Sequence, residues 1–194
     1  MFILYAIPIG LAVGALLGGR AAGLGALQFR WAWVAIAGFA AQVLLFSEPV
    51  AARVGDAGPS LYVASTAVVF GAVLRNLAIR GMVLVAAGAG ANLLAILANG
   101  GYMPASPLAA AEFGRTASEL YSNSRIVDAP ALAPLTDVIA MPQWLPFANI
   151  VSIGDVLIAL GIVAVIASAM RAGRTLAAQE AAAIAPVHPG NSPI

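Results

Sequence analysis

Five stretches of the chain are apolar for about 17 to 21 residues, the length that an α-helix needs to cross a hydrocarbon core about 30 Å thick. They lie near residues 2–18, 31–47, 61–79, 81–99 and 153–170. The first charge, Arg20, follows the first stretch, so the pattern indicates a retained helix rather than a cleaved signal peptide. The pattern predicts an all-α fold, a polytopic membrane bundle of five transmembrane helices.

Between the last two stretches the chain leaves this pattern for a long loop, residues 100–149, which contains half of the 12 prolines. Loops of this length are usually functional or disordered. Ser106 and Pro107 are typical of a helix start, and they predict a short amphipathic helix from Leu108 to Tyr121. Its apolar face would be Leu108, Phe113, Ala117, Leu120 and Tyr121. Residues 1–174 would form one membrane domain, followed by a flexible cytoplasmic tail at 175–194.

The arginines predict the orientation, because cytoplasmic connections collect basic residues. With five spans, six arginines fall on one side: Arg20, Arg30, Arg75, Arg80, Arg171 and Arg174. The other side has Arg53, Arg115 and Arg125 among six acidic residues. We therefore expect the N-terminus and the long loop outside and the C-terminus in the cytoplasm.

Composition agrees with lipid as the solvent: 62% of the residues are hydrophobic, 9% are charged, and the mean hydropathy is +0.97, whereas soluble domains carry about a quarter charged residues. With 0 Cys and one His, His188, thiolate zinc sites, disulfides and a Ser/His/Asp triad are excluded. We expect no metal and no cofactor. A net charge of +1 is far from the basic footprint of a nucleic-acid binder.

Small and polar residues within the stretches predict how the helices pack. Gly10, Gly14 and Gly18 form two overlapping Gly-x-x-x-Gly steps, a face that lets another backbone approach closely. Its partner would be a helix of the same chain or of a second copy, and five helices favour the same chain. Gln42 and Asn92, the latter on one face with Gly88, would either hydrogen-bond between helices or line a polar binding cavity.

Asp155 is the one acidic residue within the five stretches, and an intramembrane carboxylate is by default a functional candidate. Ser152 precedes it by three residues, the spacing of a capping box. At the positive end of a helix dipole a carboxylate is also stabilised. The two interpretations, helix cap and functional carboxylate, are compatible.

Three motifs in order resemble a family of small polytopic bacterial membrane proteins of unknown function: Asn-Gly-Gly-Tyr-Met-Pro at 99–104, Leu-Thr-Asp-Val-Ile-Ala-Met-Pro at 135–142 and Ile-Val-Ser-Ile-Gly-Asp-Val-Leu-Ile at 150–158. The resemblance implies the bacterial cytoplasmic (inner) membrane and a multi-pass topology. It also implies that Asn99, Asp137 and Asp155 meet at the outer face. It brings no activity.

A second likeness points to an enzyme. Phe147, Ala148 and Asn149, followed by Ser152 to Asp155 at a helix start, resemble the final motif of lipoprotein signal peptidases. The resemblance implies that Asp137 and Asp155 share a proton and activate water, since two close carboxylates do not both ionise readily.

We expect foremost an accessory or scaffold protein whose outer loop docks a membrane protein partner or an amphiphile, with a homo-oligomer also open. The docking face would comprise Asn99, Gly100, Gly101, Tyr102, Met103, Pro104, Asp137, Asn149, Ser152 and Asp155. The alternative is an intramembrane aspartate-dyad hydrolase using Asp137 and Asp155. A small transporter subunit is a third hypothesis, which needs a continuous polar path.

Overall fold

The computed structural model describes residues 2–113 and 124–184. The fold is mostly helical, with 67% helix and few strands, which confirms the helical class. The helices are α1 (Ala6–Leu16), α2 (Ala32–Leu45), α3 (Glu48–Val54), α4 (Gly58–Leu74), α5 (Met82–Ala98), α6 (Pro107–Glu112) and α7 (Ile153–Ile184). The strands are β1 (Met103–Ala105), β2 (Ser124–Ile126), β3 (Ile139–Ala140) and β4 (Ile150–Val151).

Helix α7 lies at the centre of the bundle, packed between α1 and α5, while α4 lies between α5 and α2. The packing order is therefore α1, α7, α5, α4, α2. Two described helical stretches, Pro49–Leu74 and Ile153–Arg174, are long and apolar enough to cross a membrane. Phe2–Leu16, Ala32–Leu45 and Met82–Ala98 are apolar but shorter.

Three of the predicted spans are therefore longer than the helices that form there. The backbone explains where two of them begin, because Trp31 and Gly81 adopt left-handed φ angles of 61° and 98° directly before α2 and α5. A helix does not continue through such a residue. The third of these spans, predicted at 2–18, ends at Leu16. The span predicted at 61–79 is shifted toward the N-terminus, since α4 begins at Gly58 and ends at Leu74.

Glycines of α1 pack against α7, so the Gly-x-x-x-Gly face finds its partner within the chain. A Cβ atom added at Gly10 would lie 3.0 Å from the Ile166 side chain, and one at Gly14 would lie 2.4 Å from the sulfur of Met170. Gly18 similarly faces Arg174. The residue numbers of the facing pairs increase together along both helices, so α1 runs parallel to α7.

Helices α5 and α7 meet through glycines of both helices. A Cβ atom at Gly88 would lie 2.3 Å from the carbonyl oxygen of Gly154, and one at Gly81 would lie 2.5 Å from that of Gly161. The pairs run in opposite directions along the two helices, which are therefore antiparallel. Seven residues separate Gly154 from Gly161 within α7, which places both on one face of that helix, and Gly81 directly precedes α5, seven residues before Gly88. Gly88 thus lies at the contact of α5 with α7.

The loop between α5 and α7 forms a cap, defined here as the described residues 100–113 and 124–152. In its described part, β1 pairs in parallel with β2, and β3 pairs antiparallel with β4. Residues 114–123 lie outside the described part, and with them Ala117, Leu120 and Tyr121 of the predicted amphipathic helix. The described helix there, α6, ends at Glu112.

Helix α7 continues to Ile184, well beyond the predicted end of the span near residue 170. Residues 175–184, the first half of the predicted flexible tail, are therefore helical. The good helix formers Leu, Ala, Gln and Glu in this segment favour that continuation. Residues 185–194 lie outside the described part.

Candidate functional site

The N-terminus of α7 is closed by a reciprocal capping box between Ser152 and Asp155. The Asp155 backbone N–H donates to the Ser152 hydroxyl at 3.0 Å, and the Ser152 N–H donates to the Asp155 carboxylate at 3.3 Å. Each side chain thus satisfies an amide that the helix leaves without a partner. The predicted capping interaction is confirmed.

Asn92 of α5 joins the same network from the neighbouring helix. Its amide nitrogen donates to the Asp155 carboxylate at 2.8 Å, and its amide oxygen accepts from the Ser152 hydroxyl at 2.8 Å. Ser152 is fully buried, with an exposed fraction of 0%. Because one amide holds both members of the box, the start of α7 is fixed against α5.

The sheets of the cap bring Asp137 to this network. Its backbone N–H donates to the Pro104 carbonyl at 2.9 Å, and its carbonyl accepts from the Ser106 N–H at 2.9 Å, which extends the sheet of β1 by one residue. Two residues later, Ile139 pairs with Val151 directly before the capping box. Asp137 therefore lies between the end of α5 and the start of α7.

The two carboxyl groups interact electrostatically. Burial of the Asp137 side chain, together with the negative charge of Asp155, raises the pKa of Asp137 to about 8. A carboxyl group with this pKa retains much of its proton at neutral pH, whereas Asp155 receives the hydrogen bonds that suit a carboxylate. One group able to donate a proton and one able to accept it can support general acid and base catalysis.

Asn99 makes its hydrogen bonds elsewhere than Asp137 and Asp155, the two residues it was expected to meet. Its amide nitrogen donates to the carbonyls of Ala95 and Ala131, at 2.7 and 2.9 Å, and its amide oxygen accepts from the Ala131 N–H at 2.9 Å. No described hydrogen bond joins Asn99 to Asp137 or Asp155. Asn99 anchors the middle of the cap to the end of α5.

The expected docking face is only partly at the surface. Met103 (5% exposed) and Pro104 (under 2%) are buried, because β1 is covered by the bundle on one side and by β2 and α6 on the other. They are core residues rather than contact residues, and the expectation for them is corrected. Tyr102 stacks under Arg125, whose guanidinium carbon lies 3.7 Å from the ring centre.

Three further members of the expected face, Gly100, Gly101 and Asn149, contribute through their backbone. Gly100 and Gly101 have φ angles of 71° and 88° and end α5, with the Gly101 N–H bonded to the Ile96 carbonyl at 2.9 Å. A Cβ atom at Gly101 would lie 2.6 Å from Pro59. The Asn149 carbonyl accepts from the Met141 N–H at 3.0 Å, beside the pairing of β3 with β4.

Gln42 does not share a cavity with Asn92, since its amide nitrogen donates to the Thr66 hydroxyl of α4 at 3.2 Å. Both amides therefore bond between helices, as the first of the two hypotheses predicts. A shallow open pocket lies elsewhere, between the α2–α4 region and Tyr102. Within residues 2–113 and 124–184, no three His, Cys, Asp or Glu side chains are grouped to hold a metal ion.

Sequence reasoning missed two features. Gly154 and Gly161 complete the contact between α5 and α7, and their spacing of seven residues was the available signal. The cap also exposes two aromatic residues, Trp144 (81% exposed) and Phe147 (69%). The absence of charged residues from Val138 to Gly154 was the sequence feature that could have indicated this exposed aromatic surface.

These features define a class: a helical protein with helices able to cross a membrane and a folded cap that holds a pair of carboxyl groups. The model of the Family of unknown function (DUF5317) matches residues 26–167, and the chain belongs to this family. The match begins well before the motifs at 99–158 and includes the packing helices α2, α4 and α5. No curated protein and no solved structure matches the chain.

Proposed function

We propose that α1, α2, α4, α5 and α7 each cross the bacterial cytoplasmic membrane, with the cap outside. Support comes from apolar side chains that the fold leaves uncovered on four helices: Leu16 (86% exposed), Trp33 (81%), Val43 (72%), Val83 (64%) and Leu160 (54%). Soluble monomers rarely expose contiguous apolar surface of this kind. Lipid would cover it.

The distribution of charge supports the orientation. The carbonyl and N–H of Arg30 bond to the Asn76 side chain, which brings the start of α2 beside the end of α4. The Arg20 N–H bonds to the Met170 carbonyl at 2.9 Å. The arginines near these contacts share one end of the bundle, here called the arginine end, opposite the cap. Positive charge collects on the cytoplasmic side.

We further propose that the protein is an accessory or scaffold protein whose cap docks a protein partner or an amphiphile. The observation that carries this proposal is that the cap is a built platform rather than a loose loop: Asn99 holds Ala131, and Asp137 extends the sheet of β1. On this platform Leu108 (81%) and Leu132 (47%) are exposed. A preorganised surface binds at a lower entropic cost.

A photoreactive residue at Leu108 tests the docking proposal in native membranes. A discrete crosslinked adduct is expected there, and none with the same probe at Leu77, which is exposed at the arginine end. The absence of an adduct at Leu108, or the same adduct at both positions, would contradict the proposal. So would a clean monomer, without bound protein or lipid, after purification in mild detergent.

A second candidate function, an aspartate-dyad hydrolase, is favoured by the effect of Asp155 on the pKa of Asp137. Asp155 would take a proton from water, the resulting hydroxide would add to a carbonyl carbon, and Asp137 would protonate the carbonyl oxygen. The tetrahedral intermediate would then collapse: Asp137 would take back a proton from one hydroxyl, the bond from the carbonyl carbon to the leaving group would break, and Asp155 would give its proton to the leaving group, which restores both carboxyl groups. The position at the start of α7 would suit a substrate cleaved at the outer membrane surface.

Cleavage of a lipid-modified peptide by the full chain in vesicles tests this candidate. Asp137→Asn and Asp155→Asn should each abolish cleavage, while the exposed Asp128→Asn should retain it. Folding is checked by the melting temperature of each variant. If both dyad variants fold and still cleave, or the wild type does not cleave, the hydrolase candidate fails.

A further inference from the structure

The hairpin loop between β3 and β4, residues 142–149, carries two exposed aromatic side chains and is here called the aromatic loop. Its ends are joined by the bond from the Met141 N–H to the Asn149 carbonyl. Two turns follow inside it, from Leu145 to the Pro142 carbonyl at 3.0 Å and from Ala148 to the Leu145 carbonyl at 3.1 Å. These turns satisfy part of the loop's own backbone and direct Trp144 and Phe147 outward.

The backbone of Phe147 supports a specialised role for the loop. Its φ angle is 55°, in the left-handed region that a bulky side chain rarely adopts. Such a conformation is strained and persists where the surrounding structure holds it. The fold thus maintains an exposed aromatic ring at a strained position.

The depth of the aromatic loop along the bundle follows from its contact with α1. The Tyr5 hydroxyl donates to the Pro146 carbonyl. Gly10 faces Ile166 and Gly14 faces Met170, so the same offset places Tyr5 level with Gly161 of α7. This level is about 12 Å along the helix from Ile153, at a rise of 1.5 Å per residue.

A tyrosine side chain on a helix leans toward the helix N-terminus. The Tyr5 hydroxyl, and with it Pro146, therefore lies less than about 12 Å along α7 from Ile153, but still beside α7. The aromatic loop therefore lies beside the first turns of α7 rather than above its start. A 3₁₀ turn, Phe2–Tyr5, precedes α1 and also packs against α7 at this end of the bundle. The loop occupies this level of the bundle.

The chemistry of the loop matches the boundary of a bilayer. No charged residue occurs from Val138 to Gly154. Tryptophan favours the level of the lipid headgroups, where an apolar ring and a polar N–H are both accommodated. Irregular backbone at membrane depth is tolerated where protein covers it, and the contact with Tyr5 and the two internal turns provide part of that cover.

We infer that the aromatic loop is a re-entrant anchor whose Trp144 and Phe147 side chains insert into the outer leaflet beside α1 and α7. The occupant of this surface is phospholipid, at the level between headgroups and acyl chains. The inference rests on the proposed membrane-spanning orientation and goes beyond it, since a cap alone requires no part of the loop to enter lipid.

Fluorescence of single-tryptophan variants of the full chain in phospholipid vesicles tests the inference. Trp31→Phe combined with Trp33→Phe leaves Trp144 alone, and Trp31→Phe combined with Trp144→Phe leaves Trp33 as the matched control. Lipids brominated near the headgroup should quench Trp144 as strongly as Trp33, and more than lipids brominated near the chain terminus. Acrylamide in the water should quench Trp144 weakly.

The outcomes separate the inference from the spanning proposal. If lipid bromines quench Trp33 but not Trp144, and acrylamide quenches Trp144, the anchor is wrong and the spanning proposal stands. If lipid bromines quench neither residue, both are wrong. Shielding of Trp144 from both quenchers would place it in a protein contact and would also overturn the anchor.

A second measurement avoids the tryptophan substitutions. Since the chain has 0 Cys, Gln143→Cys and Asp128→Cys each accept one spin label, the first in the aromatic loop and the second elsewhere on the cap surface. The label at 143 should relax faster with oxygen, which concentrates in lipid, and the label at 128 faster with a polar nickel complex. Identical behaviour of the two labels would contradict the anchor.

Discussion

The Asn92 amide binds two groups at once, the Asp155 carboxylate and the Ser152 hydroxyl, and so joins α5 to the start of α7. The Ser152 side chain is fully buried, so the solvent outside does not reach it to replace a lost partner. An unsatisfied buried polar group costs more than an average hydrogen bond contributes. The stability of this site therefore depends strongly on the Asn92 side chain.

Asn92→Leu should lower the free energy of unfolding by about 1–3 kcal/mol, since it leaves the proton of the buried Ser152 hydroxyl without an acceptor and removes one of the two hydrogen-bond donors to the Asp155 carboxylate. Gln42→Leu is the matched control, which removes one 3.2 Å bond to Thr66. Its cost should stay near the average of about 0.6 kcal/mol for interhelical bonds in membranes. Equal costs, measured by denaturant unfolding in detergent, would argue against the special role of Asn92.

Asp137 makes stability depend on pH. Its pKa is about 8 in the folded state and about 3.9 in an unfolded chain, so the folded protein binds more protons between these values. The contribution of the protonated Asp137 to the free energy of unfolding is then fully present below about pH 4 and is lost as the pH rises toward about 8.

Asp137→Asn should remove this slope, because asparagine does not titrate. Its melting temperature should exceed that of the wild type at about pH 8, and the advantage should shrink toward about pH 4. Melting curves across this range provide the measurement. A wild-type profile that rises with pH over the same window would show that the charge of Asp137 is not penalised in the fold.

At the scale of elements, the contact between α5 and α7 depends on backbones that approach without side chains between them. Gly81, Gly88, Gly154 and Gly161 each leave no room for a methyl group against the opposite helix. Without a hydrophobic driving force between helices in lipid, such close packing is a main source of association. The interface therefore has little tolerance for added volume.

Gly88→Ala should destabilise the protein by about 1–3 kcal/mol, since the new Cβ would lie 2.3 Å from the Gly154 carbonyl oxygen. Gly71→Ala in α4 meets nothing within 4 Å. It should be neutral or stabilise by up to about 1 kcal/mol through helix propensity. Thermal unfolding of the two variants compares them directly, and a Gly88→Ala variant as stable as Gly71→Ala would refute the close contact.

The local features of the fold were predictable from short-range patterns. Ser152 and Asp155 lie three residues apart, and the glycines after Asn99 stop a helix by themselves, so both could be recognised in the sequence. The burial of Met103 and Pro104 could not be recognised, because all three residues of β1 are buried and the strand therefore shows no alternation of apolar and polar positions. The approach of Asp137 to Asp155 depends on two-residue strands, whose pairing leaves no periodic signal.

At the scale of the whole molecule, the two ends of the bundle differ in charge and in structure. The arginine end joins its helices by short connections such as Arg75 to Gly81, whereas the opposite end carries the cap. This asymmetry is what a protein with a fixed orientation in a membrane would need.

Accessibility of single cysteines tests the orientation in whole cells. Ala133→Cys in the cap should react with a membrane-impermeant maleimide in intact cells, and Ala78→Cys at the arginine end should react only after permeabilisation. Both alanines are exposed, and the wild type has 0 Cys to interfere. The reverse labelling pattern would invert the topology, and labelling of both sites in intact cells would argue against a sealed bilayer between them.

The burial of Met103 among Leu45, Tyr62, Ala95 and Ile96 has a practical consequence for finding a binding partner. The floor of the cap belongs to α2, α4 and α5, so a recombinant fragment limited to residues 100–152 would expose that floor to water. Such a fragment would aggregate or present the wrong surface as bait. Screens for whatever the cap recognises therefore need the whole protein, held in a nanodisc or a native membrane.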